Sequence, residues 1–279
     1  MLARMIWAML AVVSLLSTTA FAADATLRLS IHGKPVAQLS GAEIARKVPA
    51  TRITVWEPHE DKNVTYEGFD AGKLFTAIYG ERWKESDEVL FTCVDGYQPV
   101  LAMERFARHR AYLVYRRLDQ ETFTVQNRFE NRKDVPLAPF YLVWDNLRSQ
   151  ELRADGANGW PYQVTGVDLV TFADRFPGLS PPATASDQAR KGFVAFRENC
   201  MACHTINGEG GSKAPELNYP VSVTEYLSPD WIRRWVMDPR AVRYNATMPG
   251  FAAHPDAERL IDDVLAYLKT MARHKRKPE

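Results

Sequence analysis

Cysteine is scarce in this sequence: three in 279 residues, at positions 93, 200 and 203. That excludes a scaffold held together by several disulfides and a structural zinc site built from four cysteines. Charge of one sign is also missing. The 35 Lys and Arg against 34 Asp and Glu leave a formal net charge of +1, which removes any general electrostatic pull towards nucleic acid or an anionic membrane. Beyond the N-terminus there is no second long hydrophobic run, so the chain is not a bundle of membrane-spanning helices. Internal repeats and low-complexity tracts are absent as well, which excludes a solenoid. What is there is ordinary globular composition, 46% apolar and 25% charged, over a length that suggests about two domains.

The N-terminus reads as a secretory signal over residues 1–22. Arg4 gives the positive start, Ile6 to Leu16 the apolar run, and Ala20-Phe21-Ala22 a small-residue cleavage site, so the mature chain is expected to begin at Ala23. No cysteine follows that would carry a lipid anchor. The rival reading is an uncleaved anchor, because Met5 to Ala23 carries no charge; Ser14, Ser17, Thr18 and Thr19 weaken it.

Further on, Pro177-Gly178-Leu179-Ser180-Pro181-Pro182-Ala183-Thr184-Ala185-Ser186 reads as a linker, since these residues neither continue a helix nor build a core. It divides residues 23–176 from residues 187–279. Upstream, Leu27 to Ile31, Arg52 to Trp56, Glu88 to Val94, Ala111 to Tyr115 and Pro139 to Trp144 are short β-branched or aromatic runs. Short helices are expected over Ser40 to Lys47, with Ser40 as cap, and over Gly72 to Tyr79. This predicts an α+β domain. Cys93 lies in one of the apolar runs and reads as a buried structural thiol; Trp144 and Trp160 read as core. Downstream, the spacing predicts helices over Asp187 to Asn199, from Ser228-Pro229-Asp230 to about Asp238-Pro239, and from Pro255-Asp256 through Leu260, Val264, Leu268 and Met271. This predicts an all-α domain. The basic tail His274-Lys275-Arg276-Lys277 reads as a solvated end.

The motif with chemistry in it is Cys200-Met201-Ala202-Cys203-His204. C-x-x-C-H is the attachment signature of c-type haem. Two thiols one short turn apart can each add to a porphyrin vinyl group, and the next histidine is then carried under the iron as an axial ligand. A zinc half-site would need a second ligand pair, and a thioredoxin-like dithiol would need a βαβ setting; the flanks supply neither. A thioether is the usual sixth ligand in electron-carrying cytochromes. Of the downstream methionines, Met271 lies on the apolar stripe of the last helix and Met237 ends a helix. Met248, in Ala246-Thr247-Met248-Pro249-Gly250, lies in a loop that proline and glycine can fix towards an iron, so Met248 is the expected ligand.

From Ser186 to Lys277 the chain resembles a class I monohaem cytochrome c. Gly192-x-x-x-Phe196, the C-x-x-C-H run, Gly208-Glu209-Gly210-Gly211, Ala214-Pro215-Glu216-Leu217, Asp230-Trp231 through Asp238-Pro239, Met248-Pro249 and Ala266-Tyr267-Leu268 stand in the family's order. The resemblance implies one covalent haem c tethered by Cys200 and Cys203, with His204 and Met248 on the iron. It also implies a contact of Gly192 and Phe196 with Tyr267, and a Pro215 carbonyl bonded to the other ring nitrogen of His204.

From about Arg52 to Phe172 the order of Gly68-Phe69-x-x-x-x-Leu74-Phe75, Asp95-Gly96-Tyr97 and Pro139-Phe140-Tyr141-Leu142-Val143-Trp144 resembles the molybdopterin-binding domain of the sulfite-oxidase family. In that family a cysteine on the strand before the G-x-x-x-x-L segment ligates molybdenum. Here that strand, Arg52-Ile53-Thr54-Val55-Trp56, has none, so an accessory scaffold without molybdopterin is expected. Glu57 and His59, in Trp56-Glu57-Pro58-His59-Glu60-Asp61, read as a solvated polar turn, and Glu130 in the charged stretch Arg128 to Lys133 as solvent-facing. Together these readings predict a periplasmic electron carrier or an electron-carrying subunit of an oxidoreductase system, with the question of an activity of its own left open. Its docking domain would serve a redox protein partner, and membrane attachment would follow only from an uncleaved signal. The alternatives are a self-contained molybdenum-dependent oxidoreductase and a haem-based gas sensor.

Overall fold

Alternating apolar residues give the first described strand its inner face: Leu27 and Leu29 are buried, their neighbours are not. The computed structural model describes residues 26–278, so the expected signal lies outside the described residues. The strands are β1 (Thr26–Ile31), β2 (Lys34–Ser40), β3 (Thr51–Glu57), β4 (Lys62–Asp70), β5 (Glu88–Cys93), β6 (Val100–Ala102), β7 (Ala111–Arg117), β8 (Thr124–Asn127), β9 (Arg132–Pro136), β10 (Tyr141–Trp144) and β11 (Val164–Val170). They make one sheet in the order β2-β1-β11-β5-β6, a second in the order β10-β7-β4-β3, and the separate hairpin β8-β9. β1 runs parallel to β11, with Arg28 opposite Gly166; the remaining neighbours in these sheets are antiparallel. Tyr66, Phe69, Phe75, Phe91, Tyr141 and Trp144 fill the core. Cys93 and Trp160 are buried with them.

The expected strands are present. β2, β4, β6, β8, β9 and β11 are additional. β2 carries Pro35 at the sheet edge, where a missing N–H is tolerated. β8 and β9 pair with each other as a separate two-stranded sheet and are mostly polar, with Val125 and Val135 as their buried apolar residues. β4 bears Gly68, which lies so close to β7 that an added Cβ would collide with Val114. The helix Gly41–Lys47 starts with a reciprocal cap: Ser40 Oγ accepts from the Glu43 N–H while the Glu43 carboxylate accepts from the Ser40 N–H at 2.8 Å.

The C-terminal part consists of the helices Asp187–Asn199, Val223–Tyr226, Pro229–Met237, Pro239–Val242 and Ala257–Met271. One small departure from an all-α domain is a hairpin pairing Thr205–Ile206 with Glu209–Gly210. Its turn is Asn207-Gly208, both at positive φ, 56° and 80°, the pair that favours a two-residue hairpin. The Asp187–Asn199 and Ala257–Met271 helices cross at Gly192, where a Cβ would collide with the Asp263 carbonyl oxygen. Phe196 and Tyr267 pack beside the crossing with ring centroids 5.3 Å apart. Gly192→Ala must push the helices apart, and a loss of about 3 kcal/mol is expected in urea denaturation; an unchanged midpoint would contradict the crossing.

Two expectations are corrected. Residues 177–186 are not a free linker. Leu179 is fully buried, its carbonyl accepts from the Tyr267 hydroxyl at 2.7 Å, and the Gly178 N–H donates to Glu209 at 2.8 Å. Leu90, Val170, Phe172, Phe176 and Leu179 belong to the same buried cluster as Phe196, Met201, Ile261 and Leu265, so apolar packing runs through the presumed boundary. Nor is the basic tail solvated throughout: Lys275 pairs with Glu225 at 2.6 Å, and the Arg276 N–H donates to Asn207 at 3.0 Å. Both departures have one cause. Proline, glycine and basic residues are read locally as polar, while the backbone of Gly178, Leu179 and Arg276 and the Lys275 ammonium find partners distant in the chain.

Candidate functional site

Ser186 caps the Asp187–Asn199 helix by accepting from the Ala189 N–H at 3.2 Å. The helix runs directly into a tight turn. The N–H groups of Cys200 and Met201 both donate to the Phe196 carbonyl, at 2.8 and 3.0 Å, and those of Cys203 and His204 to the Cys200 carbonyl, at 3.1 and 3.0 Å. Met201, between the cysteines, is buried in the core and anchors the turn. Cys200 and Cys203 are half-buried free thiols. Burial pushes their pKa values up, to about 12 and about 11, which keeps them as protonated thiols.

His204 is oriented through its ring. Nδ1 lies 2.8 Å from the Pro215 carbonyl oxygen. A carbonyl can only accept, so Nδ1 carries the hydrogen and Nε2 keeps its lone pair. Burial lowers the pKa of His204, opposed by that bond to Pro215, which favours the neutral ring. Pro215 is placed by its neighbours. The Ala214 N–H donates to the Cys203 carbonyl at 2.9 Å, and Gly211 packs so closely on Ala202 that any Cβ there would collide with its carbonyl oxygen. Glu216 then staples the loop by accepting from the N–H groups of Asn207, Gly208, Asn218 and Tyr219 at 2.8–3.0 Å. Burial alone would raise the pKa of Glu216, but these hydrogen bonds hold it below its ordinary value of 4.5.

Of the candidate sulfur ligands, Met271 is buried in the core and Met237 and Met248 are half-buried. The Met248 loop is tied down just after Pro249 and Gly250: the Phe251 and Ala252 N–H groups donate to the Met237 carbonyl at 3.1 Å. Two free thiols and an imidazole whose Nδ1 is held by the Pro215 carbonyl are a donor set that fits haem c.

The N-terminal part meets this turn directly. The Gln98 N–H donates to the Ala202 carbonyl at 2.8 Å and the Ser212 N–H to the Gly96 carbonyl at 2.9 Å. Lys213 reaches Glu130 at 2.6 Å and Asp95 at 3.2 Å and lies over the rings of Tyr97 and Tyr162. Glu130, expected to face solvent, is therefore mostly covered. The hairpin turn that carries it also receives Arg240, whose guanidinium donates to the Phe129 carbonyl at 2.9 Å. Arg197 pairs with Glu88 and stacks on Phe172.

A second polar group was missed in the sequence. Glu57 and His59 are not a solvated turn: Glu57 is 0% exposed and His59 4%. The Glu57 carboxylate accepts from His59 Nδ1 at 2.7 Å, from the Tyr66 hydroxyl at 2.7 Å and from the Tyr141 hydroxyl at 3.0 Å. Burial, then the charge of Glu57, push the pKa values of both tyrosines well above 10, so both remain donors. The turn lies under the β8-β9 hairpin, and that long-range covering leaves no mark in Trp56 to Asp61 itself. Among the described residues no group of three or more His, Cys, Asp or Glu side chains is arranged to hold a metal ion, and no helix is long and apolar enough to cross a membrane.

No curated protein matches this chain. The family model of cytochrome c matches residues 189–272, and the C-terminal part of the chain, with its thiol-bearing turn and locked imidazole, is a c-type cytochrome domain.

Proposed function

We propose that the chain is a periplasmic monohaem electron carrier, with Cys200 and Cys203 as the covalent tethers and His204 and Met248 as the axial ligands. The observation that supports this best is the 2.8 Å bond from His204 Nδ1 to the Pro215 carbonyl, because it fixes the tautomer that leaves Nε2 for iron and raises its basicity. Haem c, when bound, supplies reversible one-electron transfer, tuned by its axial ligands. The residues of the chain do the rest. The Phe196–His204 turn holds the thiols at fixed separation, Glu216 prevents the loop from relaxing, and the anchored 250–252 backbone restrains Met248.

We further read residues 23–176 as an accessory domain on a degenerate molybdopterin-type scaffold. Its support is the apposition of Gln98, Gly96, Asp95 and Glu130 to the turn that carries Cys203. That covering leaves the redox protein partner to dock where this domain presents a surface, and electron-transfer encounters of this kind are small and transient. Export to the periplasm rests on the expected signal.

The ligand assignment is tested on matured protein. Met248→Leu is expected to abolish the long-wavelength sulfur-to-iron band of the oxidised form and to lower the reduction potential, while Met237→Leu changes neither. An unaltered band in the Met248 variant would remove Met248 from the iron, and its loss in the Met237 variant would put Met237 there.

A further inference from the structure

The electron-carrier reading leaves one charged side chain beside the C-x-x-C-H turn unexplained. Lys213 directly precedes Ala214, whose N–H donates to the Cys203 carbonyl at 2.9 Å. Its ammonium is turned away from water. The Lys213 side chain is 18% exposed, and it meets Glu130 at 2.6 Å and Asp95 at 3.2 Å, themselves 11% and 26% exposed. The rings of Tyr97 and Tyr162 have their centroids 5.6 and 5.7 Å from its nitrogen. Burial opposes the charge on Lys213, but Tyr162, Glu130 and Asp95 outweigh it, so the cation is kept. An ammonium taken out of water carries a desolvation penalty, and here both partners that offset it belong to the N-terminal part of the chain.

Those partners are themselves fixed. Asp95 lies on the turn after β5; one of its oxygens accepts from the Tyr97 N–H at 3.1 Å and the other faces Lys213. The same turn clasps the C-x-x-C-H segment and the loop that follows it. The Gln98 N–H donates to the Ala202 carbonyl at 2.8 Å, and the Gly96 carbonyl accepts from the Ser212 N–H at 2.9 Å. Gly96 has a φ of 84°, and an added Cβ would collide with Ser212. Glu130 is held on the β8-β9 turn by its own N–H, which donates to the Asn127 side chain at 3.1 Å, and Arg132 takes its second oxygen at 3.2 Å. Charges fixed where water is largely excluded act more strongly than charges in water and are less screened by salt. Resting on the electron-carrier reading, we propose that the N-terminal part is a working half of the haem site: it holds Lys213, a positioning residue, between Asp95 and Glu130, and this cluster sets the reduction potential. The oxidised and reduced forms differ by one unit of charge, so a nearby cation favours the reduced form and a nearby carboxylate the oxidised one.

The test uses the full chain carrying haem. It reads the ratio of oxidised to reduced protein at a fixed applied potential, with hydrogen exchange at the Gln98 and Ser212 amides as a second measurement. Lys213→Met is expected to shift the ratio at least about threefold towards the oxidised form, and Glu130→Gln at least about threefold towards the reduced form. Lys213→Arg, which keeps the cation, should stay close to the parent. A role confined to joining the two parts gives a different pattern: loosening the contact admits water, which favours the more highly charged oxidised form in every variant. A Glu130→Gln shift towards the oxidised form, or no shift, therefore overturns the proposal even if Lys213→Met fails to fold. A Lys213→Arg shift as large as that of Lys213→Met overturns it too. The Gln98 and Ser212 amides should exchange slowly in the parent chain, and fast exchange would mean that the clasp is open in solution, which also defeats the proposal. Failure on any of these counts leaves the haem ligands untouched, because the Met248 and Met237 variants decide those separately.

Discussion

Replacing both Cys200 and Cys203 with serine is expected to yield a colourless protein, whereas Cys93→Ser should leave the colour unaltered. Serine keeps the size and the turn but cannot form a thioether. The four hydrogen bonds that shape the turn are all backbone, from residues 200, 201, 203 and 204 to the carbonyls of Phe196 and Cys200, so they survive the change. Cys93 is buried in β5, and its thiol is held well above its ordinary pKa by burial first and by the Asp95 charge second; it is a packing group. The measurement is pyridine haemochrome absorbance after denaturation, which reports covalent haem per polypeptide. Single variants should retain about one thioether and a shifted band. A double variant that kept a full complement of covalent haem would place the attachment elsewhere and remove the basis for every role assigned to His204 and Met248. Pro215→Ala is a milder probe of the same site. It preserves the carbonyl, so the tautomer is retained, and the effect should be confined to loop stability, within about 1 kcal/mol in urea denaturation.

How much of this was legible beforehand depends on the distance over which each feature is determined. The C-x-x-C-H turn is local: five consecutive residues carry both proposed tethers and a proposed ligand, and the helix over Asp187 to Asn199 before it is legible from its own spacing. The Gly192 crossing with Tyr267 is distant in sequence but carries a recurrent small-residue and aromatic signature. The Glu57–His59 pair is different. Its neighbours Tyr66, Tyr141, Tyr162 and Phe129 come from four separate segments, and a Glu-Pro-His-Glu-Asp stretch taken alone is polar. The available signal was weak: the adjoining β4 alternates, with Val64 and Tyr66 buried, and a strand leading away from a polar turn on that pattern brings the turn towards the core. The packed 177–186 segment was hidden for the same reason. Leu179 is a single apolar residue among prolines and small residues, and only Tyr267 and Glu209, distant in the chain, show what it fits.

Arg117→Met is expected to cost about 3–5 kcal/mol of stability, the largest effect of any single substitution in the N-terminal part. The Arg117 side chain is 0% exposed and that of Glu60 3%. Its guanidinium donates to both Glu60 oxygens at 2.7 and 2.8 Å, to Asp119 at 2.6 and 2.9 Å and to the Thr124 carbonyl at 3.0 Å. The methionine removes the cation and leaves Glu60 buried and charged. Glu60 also accepts from the Gln126 N–H at 2.8 Å, so this knot ties the turn that carries His59 to β8 and hence to the hairpin that carries Phe129. Burial would raise the pKa of Glu60, but Arg117, Lys62 and the Gln126 N–H bring it down from 4.5 to about 2. A depressed carboxylate stabilises the fold above its unfolded value and loses that contribution as pH falls through its folded one. Unfolding free energy in urea should therefore drop between pH 4.5 and about 2, with a contribution on the order of 3 kcal/mol from this group, and the drop should be smaller by that contribution in Arg117→Met/Glu60→Met. The double variant should also regain much of what the single variant loses, since a buried pair replaced by apolar groups of similar volume is often near neutral. If the single and double variants are equally destabilised, the cost lies in lost packing of the arginine stem, and the charge pair does not hold the turn over His59.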